Sequence, residues 1–401
     1  MTKEMQRFLL LAFFLLIALA VLILLILPQI RNLLSRPQGE GYQIGFSQDM
    51  HKAEVVEILD ESEVLLGDHI QTYQLVRVLV LEGPWEGLSQ ELEYGKAQIL
   101  PEGMTLAPGN RIMINISEMP DGSLNIFFVD FVRTSSLLWL LLAFVALSVL
   151  VGGKQGVRGL LGLLLSLIVI LGFIIPSILQ GKDPTVVSVL GGFLLITITL
   201  YLIYGFELKT HAAVLGMFFT LIFAGLMIGF FINLSRMTGF GNEEALYIMQ
   251  QSEIHIDLRG LVLAGMLIGA LGALDDLVIT QASVVFQLHA TDSSLNFRNL
   301  YRSAMRVGED HVSAMINTLF MAYAGAALPT LVLFSLSQES FTNLINLEFV
   351  AEEVVRMLAG SLGLIAAAPI ATAIASLLAV NRDRLRIVPE FLKEEKRPED
   401  E

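Results

Sequence analysis

Asp275 and Asp276 break into a long apolar stretch that begins at Leu258. Beyond them, Asp276, Thr280, Ser283 and Gln287 recur at i, i+4, i+7 and i+11, which is one stripe of a helix. A second set follows downstream. Asp310, Ser313 and Asn317 share a face at i, i+3 and i+7, and Thr318 and Tyr323 lie further along the same apolar run. Carboxylate, hydroxyl and carboxamide oxygens are the ligands that hard cations take. A carboxylate within hydrocarbon costs several kcal/mol unless it is paired, hydrated or protonated. Asp275, Asp276, Thr280, Asp310, Asn317, Thr318 and Tyr323 are therefore the candidate binding residues, with a cation or proton as ligand. The two aspartates cannot face the same way, because helical neighbours are about 100° apart. One is expected to point into a bundle and the other toward an aqueous mouth. The alternative is that the span ends near 274 and both acids are solvated boundary residues.

Such a stripe needs membrane helices to position it, and composition supplies them. The 401 residues are 54% hydrophobic and 16% charged, with a mean hydropathy of +0.68. That is the composition of a polytopic membrane protein. Residues 8–27 form an uninterrupted apolar run behind Lys3 and Arg7 and read as a retained anchor. Seven further spans are expected at about 137–151, 159–180, 184–204, 211–234, 258–280, 312–336 and 354–380. Lys154, Arg158, Lys209, Arg298, Arg302, Arg306, Arg382, Arg384 and Arg386 fall in alternate loops, which the positive-inside rule assigns to the cytoplasm along with both termini.

Residues 41–133 differ in kind, with 15 acidic residues against 5 Lys plus Arg. Their β-rich runs, 53–59, 73–81, 111–116 and 124–132, are punctuated by Gly83-Pro84, Pro108-Gly109 and Asp121-Gly122. The expected fold is an α-helical polytopic membrane protein of about eight transmembrane helices, with a small all-β extracytoplasmic domain after the first. Its parts are 1–40 (anchor and linker), 41–133 (β domain, barrel or sandwich), 134–388 (seven-helix membrane domain) and 389–401 (charged tail). Between the sixth and seventh spans, 292–294 reads as a turn and helix start and 297–307 as a short basic helix.

Small residues recur at i, i+4, i+8 in Gly265, Gly269 and Ala273, and again in Ala359, Gly363, Ala367, Ala371 and Ala375, so the sixth and eighth spans are expected to be interior. Pro176, Pro329 and Pro369 interrupt the third, seventh and eighth spans. Glu348, Glu352, Glu353 and Arg356 open the eighth span, as an acidic vestibule or a solvated helix start. His311 reads as an interfacial histidine.

The net charge of −14 excludes a nucleic-acid partner, and the absence of cysteine excludes thiolate metal sites. No G-x-x-x-x-G-K-[ST], G-x-S-x-G or H-E-x-x-H occurs, so neither enzymatic activity nor a cofactor is expected. The segments GGKQGVRGLLGLLLSL (152–167), GALDDLVITQASVVFQL (272–288) and GEDHVSAMINTLFMAYAGAALP (308–329), with VDFVR at 129–133, resemble the YibE/F family of bacterial multipass membrane proteins. The resemblance implies a bacterial cell-membrane protein of about eight spans and no established activity.

Three functions fit these residues. The first is a transporter or permease for an ion or small solute, with a site between the sixth, seventh and eighth spans. The second is a scaffold or sensor whose β domain binds an envelope protein. The third is the membrane subunit of an ATP-driven exporter, with 292–308 docking a cytoplasmic ATPase. The lipid bilayer is a partner in all three, and a homo-oligomer is compatible with each.

Overall fold

The computed structural model describes residues 50–382 apart from 68, 97–98, 102, 120–123, 242, 252–255 and 338. The expected anchor at 8–27, the tail at 389–401 and the turn at 121–122 lie outside the described residues. Contacts divide the chain into two compact units, separated in sequence between Val151 and Gly152.

The first unit contains a five-stranded antiparallel sheet. Its strands are β1 (Met50–Leu66), β2 (His69–Val80), β3 (Ser89–Tyr94), β4 (Arg111–Glu118) and β5 (Leu124–Phe131), in the order β3-β2-β1-β4-β5. Alternate residues point inward, so Ala53, Val55, Val76, Val78, Leu92, Ile112 and Ile114 are fully buried. Register shifts between Val55 and Glu57, and between Ile58 and Asp60, bend β1. The two ends of the sheet approach each other, with the ring of Tyr94 (β3) edge-on to that of Phe128 (β5) at 4.9 Å. This is a five-stranded, partly open Greek-key barrel of the OB type. Of the two expected forms, the curl of the sheet selects the barrel. β3 was not legible in the sequence because SQELEY offers only Leu92 and Tyr94 to the core. Buried Gln74 fixes the β3–β4 connection, accepting from the Leu106 amide at 2.7 Å and donating to the Leu106 carbonyl at 3.2 Å.

Helices follow. α1 spans Thr134–Val169, a π-helical turn spans Ile170–Ile174, and α2 spans Ile175–Leu179. α3 is Pro184–Tyr204, α4 Leu208–Leu234, α5 Glu243–Gln251, α6 Leu258–Thr291, α7 Phe297–Ala326, α8 Leu328–Leu336, α9 Phe341–Leu344 and α10 Glu348–Val380. Among the described residues, five helical stretches are long and apolar enough to cross a membrane, and the bent pair α7–α8 makes a sixth. One of the five, Thr134–Leu179, has 46 residues and would extend about 69 Å if straight, more than twice the bilayer core. Gly153 breaks it, with φ 54° and ψ −130°. That break falls between the two spans expected at 137–151 and 159–180.

The three prolines act differently. Pro176 follows the π-helical turn, which absorbs the missing hydrogen bond. Pro329 opens α8 after a 62° bend at Ala327. Pro369 stays inside continuous α10. α6 and α10 are interior, as expected, and α4 joins them. Gly216 of α4 would bring a Cβ to 3.2 Å from Ala371 Cα, and Gly363 of α10 would bring one to 3.2 Å from Ala224. The other stripe behaves otherwise. Gly265 has nothing within 4 Å of a would-be Cβ, and Ala273 lines a groove, so Gly265, Gly269 and Ala273 are not a helix–helix seam. The expected short basic helix is also corrected. Asn296 caps α7 by accepting from the Asn299 amide, and α7 then runs unbroken from Phe297 to Ala326, with Leu300, Ala304 and Gly308 buried along its first half.

Candidate functional site

α6 and α7 form an antiparallel hairpin, joined by a turn in which Asp292 accepts from the Ser294 amide at 2.9 Å and hydroxyl at 2.6 Å. α6 has 34 residues, a length of about 51 Å. Asp276 lies about 27 Å along it from Leu258. α6 runs on unbroken to Thr291 and so carries the whole stripe on one helix.

A groove of about 540 Å³ runs between the two helices at this depth. Asp276 and Thr280 enter it from α6, and His311 and Thr318 from α7. Ala273, Met315, Leu319 and Ala322 complete the wall. The groove is thus mostly apolar, with a carboxylate, two hydroxyls and an imidazole converging on it. Among the described residues no group of three or more His, Asp or Glu could hold a metal ion.

Asp275 leaves the groove. Its Oδ1 is sealed from solvent and meets no hydrogen-bond partner among the described residues. The charges of both aspartates act on Tyr204, at the end of α3. Close by in sequence, the Tyr201 hydroxyl and His211 Nδ1 are 2.6 Å apart, which joins α3 to the start of α4. Asp310 and Asn317 are exposed on a different face of α7 and do not line the groove. Tyr323 lies about one and a half turns from Thr318. Its hydroxyl rests 3.0 Å from the position a Cβ would take on Gly269, and the Glu353–Arg356 ion pair of α10, 2.5 Å long, acts on it. The structure thus brings Asp276, Thr280 and Thr318 together, with His311, and separates Asp275, Asp310, Asn317 and Tyr323 from them.

Residues 140–381 match the family model for YibE/F-like proteins. The chain belongs to the YibE/F family. No curated protein and no solved structure matches it. The matched segment contains α6, α7 and α10 and so the whole groove, and it leaves the barrel outside. As a YibE/F member with several long apolar helices, the chain is a membrane protein.

Two features of this YibE/F chain escaped the sequence reading. The first is a buried junction of α6, α7 and α10. The Thr372 hydroxyl has one proton, shared between the Ala368 carbonyl at 2.6 Å and the carboxamide oxygen of fully buried Gln281 at 3.0 Å. A Cβ on Gly308 would lie 2.7 Å from Gln281 Nε2. Gly308, a glycine inside a long helix, was the available signal. The second is a clamp at the start of α10. Glu348 accepts from the Gly239 amide and the Thr238 hydroxyl, both at 2.7 Å. Glu352 is 1% exposed and takes the Gly241 amide. The expected vestibule or solvated start is therefore corrected. Both carboxylates hold the backbone of the α4–α5 loop. Gly239, at φ +85°, is required there because a Cβ would meet the Leu258 carbonyl carbon at 2.6 Å.

Proposed function

We propose that this YibE/F protein is a membrane transporter or permease for a cation or small cationic solute, with no catalytic activity and no cofactor. The observation that supports the reading is the groove, where Asp276, Thr280, His311 and Thr318 converge near the edge of the apolar layer. Polar groups at that depth are costly unless a ligand or water meets them. In this reading the chain lies in the cell membrane and crosses it eight times, counting the anchor at 8–27 and two spans on either side of Gly153. Both termini are cytoplasmic, and the barrel is extracytoplasmic. The α7–α8 pair, bent by 62°, is the kind of broken helix that transporters use.

The test is the thermal stability of the purified protein against Na⁺, K⁺, Mg²⁺, Ca²⁺ and Mn²⁺, beside the Asp275→Asn/Asp276→Asn double variant. A ligand at a hundredfold excess over its Kd stabilises by about 2.7 kcal/mol. A cation-specific shift that disappears in the variant is expected. No shift with any cation would overturn the reading.

A second reading has its own support. Arg298, Arg302 and Arg306 form an exposed basic stripe on α7, opposite buried Leu300 and Ala304. A cytoplasmic ATPase docked there would push on the same unbroken helix that lines the groove. Co-purification of such a partner, lost on Arg302→Glu, is the outcome that would favour it.

A further inference from the structure

α4 ends in a turn that glycine ordinarily closes. The Met237 amide donates to the Ile232 carbonyl at 3.0 Å and the Arg236 amide to the Asn233 carbonyl at 3.1 Å, the paired bonds of a Schellman motif. Its left-handed position, at φ 53°, is held by Arg236, the one non-glycine residue with positive φ among the described residues. An arginine adopts that conformation at a cost that glycine escapes. The Arg236 side chain is exposed. Among the described residues it has no ion pair, and the carboxylates at this end of the helices are engaged elsewhere: Glu348 with Thr238 and Gly239, Glu352 with the Gly241 amide, and Glu353 with Arg356.

A second groove begins about one and a half turns before Arg236. It holds about 460 Å³ between α4, α7 and α10 and shares no residue with the groove of Asp276. Phe231 forms its α4 wall, Ile316 and Phe320 its α7 wall, and Leu358, Leu362 and Ile365 much of its α10 wall. Ser361, the polar residue of the lining, already donates to the Met357 carbonyl at 2.8 Å. Such a groove does not order water, and left empty its walls lose dispersion contacts. Its fitting occupant is a hydrocarbon. From Val355 to Ile365 it follows α10 for about 15 Å, half of a bilayer core about 30 Å thick and so the depth of one leaflet. The Val355 end lies about two turns from Glu348, whose carboxylate holds Thr238, two residues past Arg236.

We propose that this groove holds one acyl chain of a membrane phospholipid and that Arg236 binds its phosphate. A guanidinium meets phosphate oxygens through paired, charge-assisted hydrogen bonds. The apolar groove takes the chain that hangs from them. A ligand for the side chain explains why arginine stands where glycine would fit the backbone better. The site is independent of the cation reading, and a lipid so held joins α7 to α4 and α10.

The purified full-length protein in detergent is titrated with three probes. They are dioleoyl phosphatidylglycerol, dioleoylglycerol (the same chains without phosphate) and glycerol phosphate (the phosphate without chains). Binding is read from thermal stability. Phosphatidylglycerol should stabilise the protein. Dioleoylglycerol should need about tenfold more for the same shift, the loss expected for one hydrogen bond to a charged group. Glycerol phosphate alone should give no shift. Arg236→Gly suits the Schellman turn, so the lipid-free variant should be at least as stable as the wild type while its preference for phosphatidylglycerol disappears. A merely structural arginine would not separate those two readouts. Arg259→Gln removes another exposed cation, at the start of α6 beside the same loop, and should leave the preference unchanged. Leu362→Trp fills the groove and should weaken both lipids. No stabilisation by phosphatidylglycerol, an equal response to dioleoylglycerol, or a preference that survives Arg236→Gly overturns the proposal. So does an equal loss in Arg259→Gln, which would mean general attraction of an anionic lipid, or unchanged lipid affinity in Leu362→Trp. The two arginine variants decide the matter should Leu362→Trp fail to fold.

Discussion

Gly308 shows how a single backbone position can be set by one amide. Its missing side chain leaves room for Gln281, whose carboxamide is fully buried where α6, α7 and α10 converge. Gly308→Ala should destabilise the protein by about 1–3 kcal/mol through overpacking. In a Gln281→Ala background the same change should cost far less, because the atom it collides with is gone. Thr372 keeps its bond to the Ala368 carbonyl in that background, so removing Gln281 strands no hydroxyl. Unfolding titrations of the two single variants and the double variant measure the coupling, and additive losses would show that Gly308 does not serve Gln281. At this scale the sequence was informative where chemistry follows helical period. Asp276, Thr280 and Thr318 could be picked out because polar residues stood on an apolar background, one turn or two apart. Gln281, Tyr204 and His211 could not, because their roles depend on which helix lies opposite. The candidates Asp310 and Asn317 share the residue types and spacing of a site but lie on another face of α7, and spacing along one helix does not say which face its neighbour takes.

Among the elements, α10 shows the widest gap between pattern and structure. Its small-residue stripe correctly marks an interior helix. Its acidic start looks, in sequence, like ordinary solvated turns. In the fold, Glu348 and Glu352 are the anchors of the 238–241 loop, and that loop also abuts the first residue of α6 through Gly239. The carboxylates therefore tie the ends of α4, α6 and α10 together. Glu348→Ala should leave the Gly239 amide and the Thr238 hydroxyl without their acceptor and cost about 1–3 kcal/mol. Glu348→Gln retains one acceptor oxygen and should cost less. The chain has no cysteine, so a single cysteine at Phe240, which leaves the Thr238 hydroxyl of the clamp in place, reports the loop directly. A Phe240→Cys label should react faster when Glu348→Ala is added, and an unchanged rate would remove the clamp from the account. The unbroken course of α7 was hidden for a related reason. Its first half is basic and its second half apolar, so composition changes at Gly308, although the helix itself runs on without a break to Ala326.

At the scale of the whole molecule, the barrel has a closed core of its own. Ala53, Val55, Val76, Val78, Leu92, Ile112 and Ile114 are fully buried among barrel residues, and Tyr94 against Phe128 joins the two ends of the sheet. Residues 41–133 expressed alone should therefore give a soluble β-rich domain with a cooperative thermal transition. A chain that aggregates or melts without cooperativity would show that the barrel depends on the helices. In the intact protein, single cysteines at Ser62 and Ser294 should be labelled by an impermeant maleimide from opposite sides of the membrane, and labelling from the same side would overturn the topology proposed above. The isolated barrel also makes the pH argument clean. Hydrogen bonds from Lys52 and Lys96 hold the carboxyl groups of Glu82 and Glu93 below the ordinary glutamate value of 4.5. A group whose value is lowered by folding contributes stability above its unfolded value and loses it as pH falls through the folded one. The domain is strongly acidic, so protonation also relieves general repulsion and blurs the raw melting curve. The difference between the wild-type barrel and Lys52→Gln/Lys96→Gln cancels much of that background. This difference should be small at pH 7, because both pairs are exposed. It should shrink in 1 M salt and close as the pH falls below 4.5 toward 3. A difference that stays constant across that range would mean that the lysines stabilise the barrel by packing of their aliphatic stems rather than through Glu82 and Glu93.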